Sequence, residues 1–541
     1  MEFSGELVAA VVGNVGPTIS ALFFLSVAAY AIKFTLRKRH FAPGPPRLPL
    51  FGNIFQLPST LQFVRFTEWA HQYGPMFSLD MLGRHVLVIN SHKVAMDLLE
   101  RRSTIYSDRP RMVMVNEILT QGFELTRYGD LWRRIRRASH SNFNAKDVRK
   151  FEPFQTKASV EVALRMLSKP ASWERHLDIF SVTTMFTSVY GHHIGPESPV
   201  VGQAKAHIDR IVQDSVPGHR LCELLPFMKF FPTWMAPWKK EALEWHDHET
   251  QLFEEWTRKV TEATPGDPER RGFAADLMEK EGNYGLSKKE MAWLAGSMLG
   301  VGSDTTSVAL ANFVLAMTHY PDVMRKAQRE IDEVVGQERP PTFDDMPNLP
   351  YIRAIVKETL RWRPIAPLAL HGTTDDDWYE GYFVPKGTTI IANIWYFNYF
   401  ITRECLDAHN FDSVRSRTMN RDPQFYPDFD VYRPERFLDE TGKSDATFPN
   451  THKTGLVSFG FGRRNCIGQY FANQSLFMAI ATMLWALDFK PPVDAQGKPI
   501  MPSKTEWIDE GLVIRPKHFE CQITARFPDA QAILEANLAD M

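Results

Sequence analysis

The run Phe459-Gly460-Phe461-Gly462-Arg463-Arg464-Asn465-Cys466-Ile467-Gly468 has the clearest chemical content in this sequence. It follows the pattern F-x-x-G-x-[RH]-x-C-x-G, which at average residue frequencies arises by chance about 10⁻⁴ times in a chain of this length. A helix-compatible run follows it. A thiol just ahead of a helix meets free amides and the positive end of the helix dipole, and both favour thiolate. The other cysteines, Cys222, Cys405 and Cys521, are scattered and no C-x-x-C pair exists. That excludes a disulfide framework and a structural zinc site, and it fits a reducing environment.

A second stretch, Gly300-Val301-Gly302-Ser303-Asp304-Thr305-Thr306, lies inside a helical pattern over Lys288 to His319. Each glycine there costs about 1 kcal/mol relative to alanine, so something compensates. One reading is close helix packing with ordinary interior threonines; the other is an acid and alcohol pair, Asp304 and Thr305, that handles protons. Thr305 can also bond the carbonyl of the preceding turn and open a local groove. A third signal, Glu358-Thr359-Leu360-Arg361, fits E-x-x-R, but so do Glu124 with Arg127 and Glu255 with Arg258. The motif alone therefore discriminates nothing.

These elements occur in the order found in the haem-thiolate monooxygenases, and the chain resembles the cytochrome P-450 superfamily from the proline hinge onward. The likeness extends to fungal microsomal members of the O-methylsterigmatocystin oxidoreductase-like type. The resemblance implies haem b as cofactor with Cys466 as its axial iron ligand, where thiolate donation favours O–O cleavage. It implies that Asp304 and Thr305 deliver protons during O₂ reduction; this chain departs at Val301, where the family usually has Ala or Gly. Only Glu358 and Arg361 are followed by Arg433-Pro434-Glu435-Arg436-Phe437 and then the cysteine motif. By resemblance, Glu358, Arg361 and Arg436 form a buried structural charge network. Trp132 and Arg136, spaced to share a helical face, are implied to bind a haem propionate, with Arg464 serving the other side. His371 matches the family's propionate-contacting histidine, although the arginine that often follows it is Gly372 here.

The positioning elements are mostly helices. Apolar periodicity predicts them over Val94 to Arg102, Ser159 to Leu167, Lys240 to Ala263, Lys288 to His319, Val323 to Val335, Tyr351 to Arg361 and Gln469 to Trp485. Strands are few: Met76 to Met81 with His85 to Asn90, and Thr388 to Asn393. The fold class is mainly α with small β-sheets, the cytochrome P-450 fold by resemblance, preceded by one N-terminal transmembrane helix. From Leu7 to Ile32 no residue is charged, which at about 1.5 Å per residue suffices to cross a hydrocarbon core of about 30 Å. Glu2 and Glu6 precede this run while Lys33, Arg37, Lys38 and Arg39 follow it, so the C-terminal side is expected in the cytosol. Residues 1–40 thus read as a membrane anchor with a basic flank, and 41–541 as one catalytic domain joined by the stiff Pro43-Gly44-Pro45-Pro46 hinge.

Across 541 residues, 62 Lys+Arg against 64 Asp+Glu leave a formal charge of −2, so no global field favours nucleic acid. By family topology the segments Arg111 to Arg127, Met298 to Thr305, Ile365 to Leu370 and Glu510 to Val513 line the substrate space. Met112, Val113, Met114, Val115, Phe123, Ile365, Leu368, Leu370 and Leu512 make that lining apolar, which suits a lipophilic small molecule. The expected activity is monooxygenation at the endoplasmic-reticulum membrane in secondary metabolism or xenobiotic oxidation. No phosphate-binding glycine motif or flavin domain is present, so electrons are expected from NADPH–cytochrome P-450 reductase, with cytochrome b5 as a second donor. The arginines around Trp132 offer a basic face for such an acidic partner. The alternatives are a non-oxygenating haem-thiolate isomerase or dehydratase, and a haem-binding sensor; neither needs a proton relay.

Residues 396–417 separate two pieces that family members join closely, and loops beyond about 12 to 15 residues are uncommon. Trp395 is encoded TGG and the Tyr396 codon begins TA, so the junction contains a GT splice donor. With Arg417 encoded AGG, an acceptor AG ends the segment and excision remakes the tryptophan in frame. The segment reads either as a genuine surface insertion, tolerable because loop-closure cost grows slowly with length, or as the favoured alternative, a translated intron, which would leave Cys405 without a function.

Overall fold

Apolar stripes become helices wherever a partner surface can bury them. The computed structural model describes residues 40–122, 125–216, 220–262, 272–395, 428, 430–442 and 456–541. Helix α1 (Gln62–Tyr73) precedes strands β1 (Met76–Met81) and β2 (Arg84–Ile89). Helices α2 (Asp130–Phe143), α3 (Glu152–Ser168), α4 (Trp173–Tyr190), α5 (Pro199–Ser215) and α6 (Pro237–Glu262) follow. Next come α7 (Lys288–His319), α8 (Pro321–Val334) and α9 (Pro350–Trp362). Strands β3 (Leu368–Gly372), β4 (Asp377–Tyr379), β5 (Tyr382–Val384) and β6 (Thr389–Asn393) are short. Helix α10 (Gln469–Ala486), strands β7 (Leu487–Lys490), β8 (Trp507–Asp509), β9 (Ile514–Pro516) and β10 (Gln522–Ala525), and helix α11 (Ala530–Ala539) end the chain.

The largest sheet has the order β1-β2-β6-β3, with β2 parallel to β6 and the other pairs antiparallel. Its β6–β3 register sets His371 opposite Ile390. Helix α7 is the long axis of the helical part, 32 residues or about 48 Å. A capping box starts it: Ser287 Oγ accepts from Glu290 N and Glu290 Oε2 accepts from Ser287 N. Its C-terminal half joins α3, α8, α9 and α10 in one apolar core containing Phe313, Ile355, Trp362, Ile480 and Trp485.

The expected helices that begin at Lys240, Lys288, Val323, Tyr351 and Gln469 agree within the usual fraying of ends, whereas Ser159 to Leu167 is only the C-terminal part of α3 and helices α1, α4 and α5 were not expected. Val94 to Arg102 splits into a short α-helix, His92–Ala95, and a π-helical turn, Met96–Arg101. Helix α4 escaped the periodicity reading because its residues from Ile179 to Tyr190 are buried on every side, which erases the polar face that defines a 3.6-residue repeat. The expected transmembrane segment lies outside the described residues, and no described helix is long and apolar enough to cross a membrane.

Candidate active site

The cysteine element folds as a tight loop leading into α10. Cys466 N donates to Phe459 O at 2.8 Å, Arg464 N to Phe461 O at 3.1 Å and Asn465 N to Gly462 O at 3.1 Å. Gly462 adopts φ +54°, and a Cβ there would stand 2.2 Å from Leu99 O, so only glycine lets the loop press against the π-helical turn. Gly462 N also donates to Glu100 Oε1 at 2.5 Å. Cys466 is accessible at its surface yet recessed in the chain. Burial pushes its thiol up, while the Gly468 amide and the Arg136 cation pull it back toward thiolate. Of the other described cysteines, Cys222 and Cys521 are buried; Cys405 lies outside the described residues.

Around this loop the chain gathers cations. Arg136, on α2, donates through Nη1 to Asn465 O at 2.6 Å. The Arg464 guanidinium sits 4.8 Å from the Trp132 ring centroid and its Nε donates to Ser107 O at 2.7 Å. His371 is buried, and its Nδ1 lies 2.9 Å from Tyr106 O. Sequence reading overlooked Arg109, which donates to Leu370 O. Burial lowers all four groups, Arg109 to about 10, Arg464 to about 9 and His371 to about 3, with Arg136 also below its ordinary value. Arg109 and Arg464 depress His371 further and so leave it neutral. With its Nδ1–H given to a carbonyl, neutral His371 has an acceptor at Nε2 and no second N–H for a carboxylate.

The nearby carboxylate, Asp108, is already engaged by Arg127 and by Tyr128 N at 2.7 Å. Arg109 Nε and Arg464 Nη2 are buried without a hydrogen-bond partner among the described residues. Arg109 also occupies the surroundings of Gly372, where a Cβ would approach its backbone within 3.2 Å. A lone Asp108-Arg109-Pro110 carries no spacing signal, which is why only the fold reveals it.

The second charged cluster is complete in itself. Glu358 Oε2 accepts from Arg361 Nε at 2.6 Å, and Oε1 accepts from Arg361 Nη2 at 2.8 Å, Arg436 Nε at 3.2 Å and Arg433 N at 2.7 Å. All three side chains are buried. By contrast, Glu255 pairs with Lys259 and Arg258 with Glu262 on the exposed face of α6, while Glu124 lies outside the described residues.

On α7, Thr305 Oγ1 donates to Val301 O at 2.9 Å, the bond to the preceding turn expected from sequence. Val301 is 44% exposed in a helix otherwise largely buried, so residues 301 and 305 form one accessible face. Asp304 points elsewhere, to Arg515 Nη2 at 2.9 Å. The glycines serve packing: a Cβ at Gly302 would lie 2.7 Å from Met185 Cε, and one at Gly300 would lie 3.0 Å from His207 Cδ2. Of the expected substrate-lining residues, Ile365, Leu368, Leu370 and Leu512 are half-buried, and Phe123 is outside the described residues. Val113, Met114 and Val115 are packed away in a buried cluster with Ile211, Cys222 and Ala242. These three residues belong to a π-helical turn, Val113–Leu119.

The family model for cytochrome P-450 matches residues 42–399 and 413–523. The chain belongs to the cytochrome P-450 family. Cytochrome P-450 monooxygenases 58 and 253 of Postia placenta are each 45% identical to it over 527 residues, covering 96% of both chains. A cytochrome P-450 monooxygenase of Armillaria gallica is 38% identical over 516 residues, covering 94% of this chain and 95% of its own. The protein is a haem-thiolate monooxygenase, whose family binds haem iron through a cysteine thiolate and which requires a redox partner and a small-molecule substrate. The residues present fit that cofactor: a recessed thiol under a cationic influence, and buried guanidinium N–H groups lacking carboxylates, match a macrocycle with two propionates.

Proposed function

We propose that this cytochrome P-450 holds haem through Cys466 and binds its propionates with Trp132, Arg136, Arg464 and Arg109, His371 lying alongside. The observation carrying this reading is the surplus of buried cations over free carboxylates beside the cysteine loop. When bound, the haem supplies O₂ activation and oxidation of an unactivated C–H or double bond. Gly462 and Gly468 keep the backbone close, and the start of α10 presents amides to the Cys466 sulfur. Asp304 exchanges protons with solvent-side groups, and the Thr305 hydroxyl, rotating away from Val301 O, passes them to the accessible face of α7. The apolar Val301, Ile365, Leu368, Leu370 and Leu512 favour a lipophilic substrate and exclude unpaired charge.

Membrane attachment through residues 7–32 is part of the same reading. An exposed apolar group in 221–235, including Phe230 at 76% and Trp234 at 80% exposure, supports contact with lipid. The exposed Arg133, Arg137 and Arg463 near the cysteine loop suit an acidic electron donor, NADPH–cytochrome P-450 reductase or cytochrome b5. The match to the family breaks between residues 399 and 413, which supports reading 396–417 as an insertion in an otherwise single catalytic domain.

The test is reconstitution of microsomes containing the protein and reductase with a lipid extract, with and without NADPH. An NADPH-dependent oxidised product is expected. Thr305→Ala and Asp304→Asn should keep haem and NADPH consumption while product falls and peroxide rises; unchanged coupling in both variants removes the proton role. Carbonate extraction and protease protection of sealed microsomes check the topology, since protection of the catalytic domain would invert it.

A further inference from the structure

Asp304 is held from an unexpected direction. Strands β8 and β9 form a hairpin in which Arg515 pairs with Ile508, and Arg515 extends from it toward α7. Its Nη2 lies 2.9 Å from Asp304 Oδ1 and its Nε 2.9 Å from Glu510 Oε2, so one guanidinium spans both acids. Asp304 is 8% exposed, Arg515 19% and Glu510 29%, an order that runs from interior to surface. A planar fork is suited to this task, since lysine would offer a single point charge.

The hairpin is itself fixed. Asp509 accepts from Leu61 N at 2.5 Å and from Gly511 N at 2.9 Å. Gly511 adopts φ +100°, and a Cβ there would meet Val216 Cγ2 at 2.6 Å and Val212 O at 3.1 Å. The hairpin tip is therefore seated against the C-terminal end of α5, with no room to drift.

We propose that Arg515 is a positioning residue for Asp304, aiming its carboxylate so that it takes up a proton from the solvent side and hands the same proton on, returning each time to the ion pair. The inference rests on the reading of Asp304 and Thr305 as a proton relay. Burial pushes the Asp304 carboxyl up; Arg515 and then Lys205 pull it down, while Asp209 and Asp178 push it up. These are the charges facing it from α4, α5 and the hairpin, with Ser307 of α7 engaged on Asp178. Glu510, raised by burial, is itself pulled down by Arg515 and forms the outward end of the ion triad. Lys205 and Asp209, 3.7 Å apart and exposed on α5, act on the same acid through their charge. Without Arg515, a carboxylate this buried takes up a proton rather than remain an unpaired charge.

The test uses the full-length, haem-loaded protein. Infrared spectra across pH report the protonated-carboxyl band that Asp304→Asn lacks. In Arg515→Gln its midpoint should rise by about 1 to 3 pH units over the parent protein, and Arg515→Lys should restore part of the shift. With reductase and NADPH, peroxide release should rise in Arg515→Gln and its pH profile should move with the carboxyl midpoint. An unchanged midpoint in Arg515→Gln, or in the uncharged Arg515→Met if the glutamine variant fails to load haem, overturns the inference. If Asp304→Asn leaves peroxide release unaltered, the relay reading fails separately, and the titration still decides whether Arg515 controls Asp304.

Discussion

Two clusters of arginine in this protein carry opposite lessons. Behind the core, Glu358 accepts from Arg361, Arg436 and the Arg433 amide, and Arg436 gives its remaining N–H groups to the carbonyls of Asp428 and Val431. Beside the cysteine loop, Arg109, Arg136, Arg464 and His371 share little negative charge, and two guanidinium nitrogens lack partners among the described residues. A buried network that satisfies itself is a structural device, because nothing more is needed to hold its charges. A buried network short of one sign marks the place of a ligand that supplies it. The two clusters are thus distinguished by hydrogen-bond satisfaction, since Arg109 Nε and Arg464 Nη2 lack partners among the described residues while the guanidinium groups on Glu358 do not, although both are built from similar residues.

The sharpest way to break the contrast is to unbalance the complete cluster. Glu358→Gln leaves two buried cations without their carboxylate and should cost about 3 to 5 kcal/mol. Loss of folded protein on denaturant titration would show it. The E-x-x-R look-alike on α6 is the control: Glu255→Gln, breaking an exposed pair with Lys259, should leave the denaturant midpoint essentially unchanged. Equal effects of the two substitutions would remove the structural role.

At the incomplete cluster the sign reverses. Arg464→Gln and Arg109→Gln should not destabilise the cofactor-free chain, because each removes a poorly compensated buried cation. Each should instead speed haem transfer to a scavenging apoglobin by about 10- to 100-fold, the equivalent of one charge-assisted hydrogen bond of about 1.5 to 3 kcal/mol. Unaltered transfer rates would leave these arginines without a cofactor role.

Which parts of this contrast are visible in the sequence follows from where the signal resides. The cysteine element, Trp132 with Arg136, and Glu358 with Arg361 are local patterns, and local patterns survive without a fold. Helix α7 was legible to its ends from its apolar periodicity over Lys288 to His319, and the structure adds the Ser287–Glu290 capping box at its start. Arg109 and Arg515 were not, since each acts across a long sequence separation, on Leu370 O and on Asp304. Helix α4 was missed for the opposite reason, since complete burial removes the alternation that periodicity detects. The packing of Val113 to Val115 against Ile211, Cys222 and Ala242 is a tertiary outcome that composition does not carry.

Protons sharpen the comparison further. His371 and His319 titrate at about 3 and about 4 in the folded chain, below the ordinary value of 6.5, mainly through burial. As pH falls below about 6.5 the unfolded chain takes up protons that the folded chain refuses, so stability should decline toward pH 4 and 3. Cofactor carboxylates that neutralise Arg109 and Arg464 should relieve the His371 share and leave that of His319. The acid slope of melting temperature should therefore be shallower in haem-loaded protein than in cofactor-free protein, and His371→Asn should abolish the difference. Identical slopes in the parent protein would argue against carboxylates in the cationic cluster.

The smallest effect is expected from residues 396–417. Deleting them should leave both clusters and haem loading unchanged, and sequencing the mature transcript should find Trp395 followed directly by Thr418. A message that still encodes Tyr396 to Arg417 would eliminate the intron reading.

The central claim is that Cys466 binds iron through its thiolate, with the arginines arranged for the cofactor so held. Its most direct measurement is the absorption spectrum of the reduced protein under CO. A thiolate ligand predicts a strongly red-shifted Soret band that Cys466→Ala abolishes, while Cys521→Ala retains it. Survival of the shifted band in Cys466→Ala would contradict the account.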